Sequence, residues 1–197
     1  MAKRLFDIIF SFLGLILVLP LFLLLAVLIK RESPGPVFYR GIRIGKGGRL
    51  FRIFKFRSMV ENAEELGGPS TAGGDSRLTK IGKFLKKYQL DELPQLINVL
   101  RGEMSLVGPR PEIKMYVEMM TNEERNVILS IKPGMTDLAS LWNFHESEVL
   151  KGSPDPEKTY QEKIRPQKIK LQLEYVKNRS FLLDLKIIIK TVLKIFQ

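Results

Sequence analysis

The longest apolar segment of the chain lies near its beginning. From Ile8 through Ile29 there are 22 consecutive residues without a charge. A helix of that length reaches across the hydrocarbon core of a bilayer. A signal peptide fits less well, because no small-residue cleavage site precedes Lys30 and Arg31. A core helix also fits less well, because the run is too long to be buried in a domain of this size. The pattern therefore predicts a membrane-embedded segment at residues 1–32.

The flanks of this segment favour a re-entrant topology over a spanning one. Lys3 and Arg4 precede the apolar run and a second basic pair follows it, so the positive-inside rule gives no direction. Pro20 lies near the middle, removes one backbone hydrogen bond and is expected to break or kink the helix. Positive ends around a central break predict a helix–break–helix that enters and leaves by the same face. A single spanning helix stays open on composition alone.

Short apolar runs after this segment predict a small basic β-hairpin. Residues 37–44 and 50–54 have the pattern of strands, and the glycine-rich residues 45–48 between them are typical of a turn. Between Ser33 and Val60 there are seven basic residues and no acidic one. Interleaved basic and aromatic residues can bind nucleic acid, but the neighbouring membrane segment favours contact with anionic lipid.

Helical spacing of apolar residues recurs through the rest of the chain. In 78–88, lysines cover the face opposite Leu78, Ile81 and Leu85, which predicts a basic amphipathic helix. Lysines interrupt 181–196 too often for a membrane span, so this helix is expected at the interface or on the core. The predicted helices are 78–88, 91–101, 112–130, 169–177 and 181–196. With the hairpin they predict a mainly helical α+β fold, with amphipathic interfacial helices around one domain at 33–197.

Two polar motifs flank the predicted helix at 91–101. Asp91 and Glu92 stand at its beginning, where the helix dipole favours an ionised carboxylate, and Gly102 is expected to end it. Arg110 follows between two prolines. On residue types alone, an N-cap aspartate and a solvent-exposed turn arginine are the simpler interpretation.

Composition narrows the class of partner. The formal net charge of +11 over 197 residues indicates an anionic partner, whether a membrane surface, a phosphorylated substrate or nucleic acid. The chain has no cysteine and one histidine, so disulfides and thiolate chemistry are excluded and a zinc site is disfavoured. The length suits one compact domain with an appendage.

Six motifs occur in a fixed order along the chain. They are Lys3-Arg4-Leu5-Phe6-Asp7, Ser33-Pro34-Gly35-Pro36-Val37-Phe38, Lys55-Phe56-Arg57-Ser58-Met59, Asp75-Ser76-Arg77-Leu78-Thr79, Leu90-Asp91-Glu92-Leu93-Pro94-Gln95-Leu96 and Val107-Gly108-Pro109-Arg110-Pro111. In this combination the chain resembles the bacterial sugar transferases known as monotopic phosphoglycosyl transferases. The resemblance covers nearly the whole chain. It implies the small version of these enzymes, a catalytic unit without added membrane helices.

The resemblance implies a reaction and a place. A phospho-sugar passes from a UDP-sugar to a polyprenol phosphate (undecaprenyl phosphate), UMP is released, and a surface glycan is initiated. The family's nucleophile matches Asp91 and its partner acid matches Glu92, which implies an aspartyl-phosphosugar intermediate. Mg²⁺ is expected on both carboxylates, since it prefers carboxylate and phosphate oxygens. Residues 33–197 would be the catalytic domain on the cytoplasmic face of the bacterial inner membrane.

The remaining site residues are cations. The candidates for gripping the diphosphate are Lys55, Arg77, Lys86 and Arg110, with Arg57 as a weaker one. Prolines on both sides of Arg110 restrict its backbone, which suits a planar phosphate clamp. Residues 137–144 depart from the commoner family pattern, so donor-sugar choice is expected to depend on them. His145 is interpreted as structural.

Two other functions compete with this transferase. One is a non-catalytic, membrane-anchored module that binds anionic lipid or nucleic acid, and the other is a hydrolase of the same substrates. The ionised acid pair together with Arg110 favours the transferase, because a binding module has no use for it. The expected partners are therefore a UDP-sugar, polyprenol phosphate and inner-membrane lipids, and no nucleic acid.

Overall fold

The computed structural model describes residues 2–63, 65–69, 74–144 and 146–195. The helices in these ranges are α1 (Ala2–Glu32), α2 (Lys80–Lys87), α3 (Gln95–Arg101), α4 (Lys114–Glu118), α5 (Asn122–Ile128), α6 (Leu138–Trp142), α7 (Glu146–Val149), α8 (Pro156–Thr159), α9 (Arg165–Asn178) and α10 (Phe181–Ile195). The strands are β1 (Phe38–Tyr39), β2 (Ile42–Ile44), β3 (Leu50–Arg52), β4 (Lys55–Phe56), β5 (Ser105–Val107) and β6 (Gly134–Thr136). The mainly helical α+β fold is confirmed.

The apolar segment is one continuous helix. Within the described ranges, α1 alone is long and apolar enough to cross a membrane. The helix passes through Pro20 without interruption, so the break predicted at Pro20 is wrong. The physical reason is that a proline removes one hydrogen bond and can bend a helix while the neighbouring turns stay intact.

The exposure of α1 is the reverse of that of a water-soluble helix. Asp7 and Ser11, two of its polar residues, are buried against the rest of the protein. Many of its apolar residues are exposed instead, with Leu17 reaching 81%. An apolar surface of this size on a folded protein marks an interaction with a membrane or another protein.

The C-terminal half of α1 packs into the core below the acid pair. Leu25 and Ile29 form one buried cluster with Phe56 of β4 and Leu85 of α2. Glu32, at the end of α1, accepts hydrogen bonds from the backbone N–H groups that begin α2. This cluster fixes α2 and β4 relative to each other.

The basic hairpin has the predicted turn but two pairs of strands. β2 pairs with β3, and β1 pairs with β4, both antiparallel. Asn98 of α3 joins the hairpin to that helix: its Oδ1 accepts from Phe54 N–H at 2.8 Å and its Nδ2 donates to Arg52 O at 2.9 Å. Because Asn98 is buried, these bonds hold β3 and β4 against α3.

A parallel strand pair that the pattern did not predict supports the arginine turn. β5 pairs with β6, and Gly108 N–H donates to Thr136 O at 3.1 Å. A Cβ on Gly134 would lie 2.0 Å from Gly108 N, so only glycine permits this approach. Behind the pair, Val107 packs against Tyr175 of α9 and Ile187 of α10.

The outcome for the other predicted helices is mixed. The helices predicted at 78–88, 169–177 and 181–196 are present as α2, α9 and α10, although residue 196 lies outside the described residues. The helix predicted at 112–130 is wrong as one unit. It is divided into α4 and α5, because Thr121 and Glu124 form a capping box that begins a new helix.

Candidate active site

Five of the predicted site residues come together in one cluster. Lys55 comes from β4, Lys86 from α2, Asp91 and Glu92 from a 3₁₀ turn at Leu90–Glu92, and Arg110 from the turn after β5. Two carboxylates therefore meet three cations. The cluster brings together residues that are as far apart in the chain as Lys55 and Arg110.

The core sets the positions of two of these cations. Lys55 is next to Phe56, and Lys86 is next to Leu85, and both apolar neighbours are in the cluster that contains Ile29 of α1. Adjacent residues of a strand point to opposite faces, so burying Phe56 turns Lys55 toward the acid pair. The packing of the membrane segment thus contributes to the geometry of the site.

Asp91 is not the N-cap of the following helix, and that prediction is wrong. α3 begins at Gln95, after a separate 3₁₀ turn that contains Asp91. The turn starts from Gln89, whose backbone has a φ of 55°, a conformation that only a few per cent of non-glycine residues adopt. Gly102 ends α3 with a φ of 81°, as predicted.

The Asp91 carboxylate is buried and incompletely hydrogen-bonded. The residue is 2% exposed. Its Oδ2 lies 3.2 Å from Lys86 Nζ in an ion pair, but it accepts no aligned hydrogen bond within the described part of the chain. A buried oxygen with free lone pairs is unusual, because most buried polar atoms are satisfied. Asp91 is therefore less completely hydrogen-bonded than Glu92, its neighbour in the cluster.

Glu92 is bound on both of its oxygens. Oε1 accepts from Lys55 Nζ at 2.8 Å and from Arg110 Nη2, and Oε2 accepts from Arg110 Nη1 at 3.0 Å. Burial would raise the pKa of Glu92, but the charges of Arg110 and Lys55 outweigh it and hold the pKa well below its ordinary value. Glu92 is therefore ionised at neutral pH and fixes two cations beside Asp91.

The protonation of the two lysines is shifted in opposite directions. Burial lowers the pKa of Lys55, and the nearby charges of Arg110 and Lys86 add to this against the attraction of Glu92. The charge of Asp91 raises the pKa of Lys86 in spite of burial. Of the two lysines, Lys55 thus has the less stable positive charge. A phosphate bound beside Lys55 would stabilise that charge.

Asp137 holds the backbone of the arginine turn. It is buried and caps α6, its Oδ1 accepting from Ser140 N–H at 2.6 Å. Its Oδ2 accepts from Arg110 N–H at 3.3 Å. The sequence marked Asp137 only as a departure from a family pattern, and neither spacing nor composition indicated this contact.

Two other predicted residues, Arg77 and Arg57, lie apart from the cluster. Arg77 binds Asp75 through Nη2 at 2.7 Å and donates to Gly68 O at 2.9 Å, so its place as a phosphate ligand stays a prediction. Arg57 donates to backbone carbonyls at the end of α1, including Ser33 O at 2.8 Å, and so fastens that helix. His145 lies outside the described residues.

The fit of the acid pair to Mg²⁺ is partial in this conformation. Asp91 offers a buried oxygen that accepts no hydrogen bond, which suits a hard cation. The oxygens of Glu92 already accept hydrogen bonds from Lys55 and Arg110. Glu92 can therefore coordinate a metal only when one of those cations binds a substrate phosphate instead. No cluster of three or more potential metal ligands occurs in the described ranges, so substrate oxygens would complete the coordination.

Comparisons with known proteins show the family of this chain. The model of the bacterial sugar transferase family matches residues 1–197. The chain is 40% identical over 195 residues to the UDP-N-acetylgalactosamine-undecaprenyl-phosphate N-acetylgalactosaminephosphotransferase of Aeromonas hydrophila, covering 96% of this chain and 42% of that protein.

Two further relatives are named as glucose-1-phosphate transferases. The UDP-glucose:undecaprenyl-phosphate glucose-1-phosphate transferase of Klebsiella pneumoniae is 41% identical over 98% of this chain and 40% of its own length. The protein of the same name from Caulobacter vibrioides is 38% identical over 98% of this chain and 68% of its own. The chain thus spans about two fifths of the length of the first two relatives. Because the family model matches the whole length of the chain, the chain belongs to the bacterial sugar transferase family.

Proposed function

We propose that this protein transfers a phospho-sugar from a UDP-sugar to a polyprenol phosphate with release of UMP. The observation that carries the proposal is the buried Asp91 carboxylate among the cations Lys55, Lys86 and Arg110, whose Oδ2 is ion-paired with Lys86 but accepts no aligned hydrogen bond from the described residues. Phosphoryl transfer requires neutralised charge and exact placing of the reactants more than covalent assistance. The relatives' names, which specify undecaprenyl phosphate as acceptor and sugar phosphates as the transferred group, support the same substrates.

The first step forms an aspartyl phosphosugar. An oxygen of Asp91 attacks the phosphorus that carries the sugar, a new O–P bond forms, and the bond to the UMP oxygen breaks. Arg110 and Lys55 stabilise the negative charge that moves onto the leaving phosphate, and Glu92 holds both of them in place.

The second step returns Asp91 to its starting state. A phosphate oxygen of the polyprenol phosphate attacks the same phosphorus, and the bond to Asp91 breaks. The product is a polyprenol diphosphate sugar, and the overall reaction consumes one donor and one acceptor. Mg²⁺, when bound by Asp91, Glu92 and substrate oxygens, would neutralise phosphate charge.

We also propose that α1 is re-entrant, with residues 1–32 embedded and residues 33–197 on the cytoplasmic face of the inner membrane. Lys3 Nζ lies 2.5 Å from Asp184 Oδ2 of α10, and Asp7 accepts from Leu106 N–H at 3.2 Å. The other end of α1 is held by Arg57. Both ends of the helix thus bind one folded domain, which supports their lying on the same side of the bilayer.

Helix α10 is proposed to lie at the membrane interface. Phe181, Leu182 and Ile189 on α10 are exposed, and Phe181 contacts Phe6 of α1 edge to face with ring centroids 5.1 Å apart. Lysines alternate with these apolar residues, which suits a helix lying among anionic headgroups.

Replacing Asp91 with Asn tests the proposed function. The variant is expected to lose UMP release from UDP-sugars by several orders of magnitude while still fractionating with membranes, because the amide cannot act as the nucleophile. Assays with and without polyprenol phosphate separate a transferase from a hydrolase, and assays with a chelator test the metal. Substantial turnover by Asp91→Asn would reject the nucleophile. UMP release at an equal rate without acceptor would favour the hydrolase.

A further inference from the structure

A segment distant in sequence is fastened beside the acid pair. Gln89 Nε2 donates a hydrogen bond to Phe144 O at 2.8 Å. Gln89 precedes Asp91 by two residues, and Phe144 precedes Glu146 by two. The beginning of α7 therefore lies close to the turn that carries the nucleophile.

Glu146 offers one bound and one free oxygen. Its Oε2 accepts from Lys168 Nζ at 3.0 Å. Its Oε1 accepts no hydrogen bond from the described residues, and 34% of the side chain is exposed. One oxygen is thus anchored and the other is available to a ligand.

Lys168 anchors this carboxylate from inside the protein. It belongs to α9 and is 8% exposed. Its Nζ also donates to Tyr160 OH at 3.2 Å and lies 4.9 Å from the centroid of that ring. A lysine held at three points loses little further entropy on binding, so the pair is preorganised.

Electrostatics places the pair on the Arg110 side of the cluster. The charge of Glu146 raises the pKa of Arg110, after the larger influences of burial and Glu92. A carboxylate here would repel a phosphate, whereas Lys55, Lys86 and Arg110 attract one. A neutral ligand group that carries hydroxyls suits Glu146 better, because a hydroxyl donates a hydrogen bond to a carboxylate.

We propose that Glu146, held by Lys168, is a subsite that hydrogen-bonds the hydroxyl or acetamido groups of the donor's sugar ring. The inference rests on the proposed function, because it requires the sugar phosphate to lie on Asp91 and Arg110. A site built to pair with a substrate hydroxyl discriminates strongly against sugars that present it differently. The ribose of the nucleotide also carries hydroxyls that can donate to Glu146. The experiment distinguishes binding of the ribose from binding of the donor's sugar ring.

The test compares Glu146→Gln with Glu148→Gln in the full chain. Glu148 is on the same short helix and pairs with Lys151 on the surface, at 3.6 Å. The kcat/KM values are measured for UDP-glucose, UDP-N-acetylglucosamine and UDP-N-acetylgalactosamine, with UMP as inhibitor. Glu146→Gln is expected to reduce the preference for the best donor about tenfold or more. Inhibition by UMP and the preference of Glu148→Gln stay unchanged.

Glu146→Asp provides a second variant that keeps the charge opposite Lys168 but withdraws the free oxygen. This variant is expected to lose the preference for the best donor, as Glu146→Gln does. An equal loss of kcat/KM for every donor would show that the pair is only structural. Weaker inhibition by UMP would assign the pair to the ribose, and either result overturns the proposal. Absence of turnover by the unmodified protein with any UDP-sugar would instead reject the proposed function.

Discussion

The charge of Lys55 depends on its surroundings in the cluster. It donates to Glu92 at 2.8 Å, while burial and two neighbouring cations oppose its protonation. A phosphate bound nearby adds negative charge and so favours the protonated form. Donor binding and the protonation of Lys55 are therefore linked.

The linkage predicts a pH dependence. Because the pKa of Lys55 in the free protein is below its ordinary 10.5, the ammonium is lost earlier as pH rises. The kcat/KM for the donor is expected to fall on the alkaline side, and in Lys55→Arg this fall moves to higher pH, since a guanidinium stays charged. Lys83→Arg, on the exposed face of α2, is the control. A profile unchanged by Lys55→Arg would assign the fall to another group.

Helix α2 connects the acid pair to the membrane segment. Gly82 lies against the backbone of Ser58, and a Cβ there would be 1.8 Å from Ser58 O. Lys86 follows one helical turn later, on the same face of the helix. The position of α2 therefore depends on a close approach that has no room for a methyl group.

Gly82→Ala is expected to displace α2 and weaken the site. Alanine favours a helix by up to about 1 kcal/mol over glycine, but forcing an atom against a backbone carbonyl costs about 1–3 kcal/mol, so the variant is destabilised. Moving Lys86 from Asp91 by about 1 Å is expected to lower kcat on the order of 100-fold. Thermal unfolding and UMP release measure both effects.

Gly68→Ala is the matched control, because no heavy atom of the described residues lies within 4 Å of its Cβ position. It is expected to change neither the unfolding temperature nor the rate. If Gly82→Ala behaved in the same way, α2 would not depend on this approach.

At the scale of the whole protein, α1 is joined to the rest of the chain through polar contacts at both of its ends. Arg4 donates to Val99 O at 2.6 Å, and Lys3 pairs with Asp184. Arg57 is buried at the other end. Removing α1 would therefore expose core residues such as Phe56 and Leu85, and it would leave several of these groups without partners.

This arrangement predicts the accessibility of both helix ends. The chain has no cysteine, so single cysteines at residues 2 and 33 can be labelled in sealed vesicles of known orientation. Both are expected to react with an impermeant thiol reagent from the cytoplasmic side. A cysteine at Glu148, in the catalytic domain, is the orientation control. Reaction of residue 2 only from the opposite side would establish a spanning helix.

Local patterns predicted the features that depend on neighbouring residues. The hairpin follows from its turn residues, α2 from its apolar spacing, and the end of α3 from Gly102. The beginning of α3 was not predictable in this way, because Asp91 and Gln95 both occupy acceptable first-turn positions. The strained backbone of Gln89, stabilised by a distant hydrogen bond to Phe144, decides between them.

The sequence by itself determined that the chain has a long apolar segment, which residues are the acid pair, and which cations are candidates. Charge, apolar length and motif order are properties of residue type and do not require coordinates. Tertiary structure decided which cations meet: Lys55, Lys86 and Arg110 reach the acids, whereas Arg77 is bound by Asp75. It also decided the contacts of Asp137 and Glu146. The physical reason is that these contacts join residues far apart in the chain, and only the packing of β4, β5 and α9 brings them together.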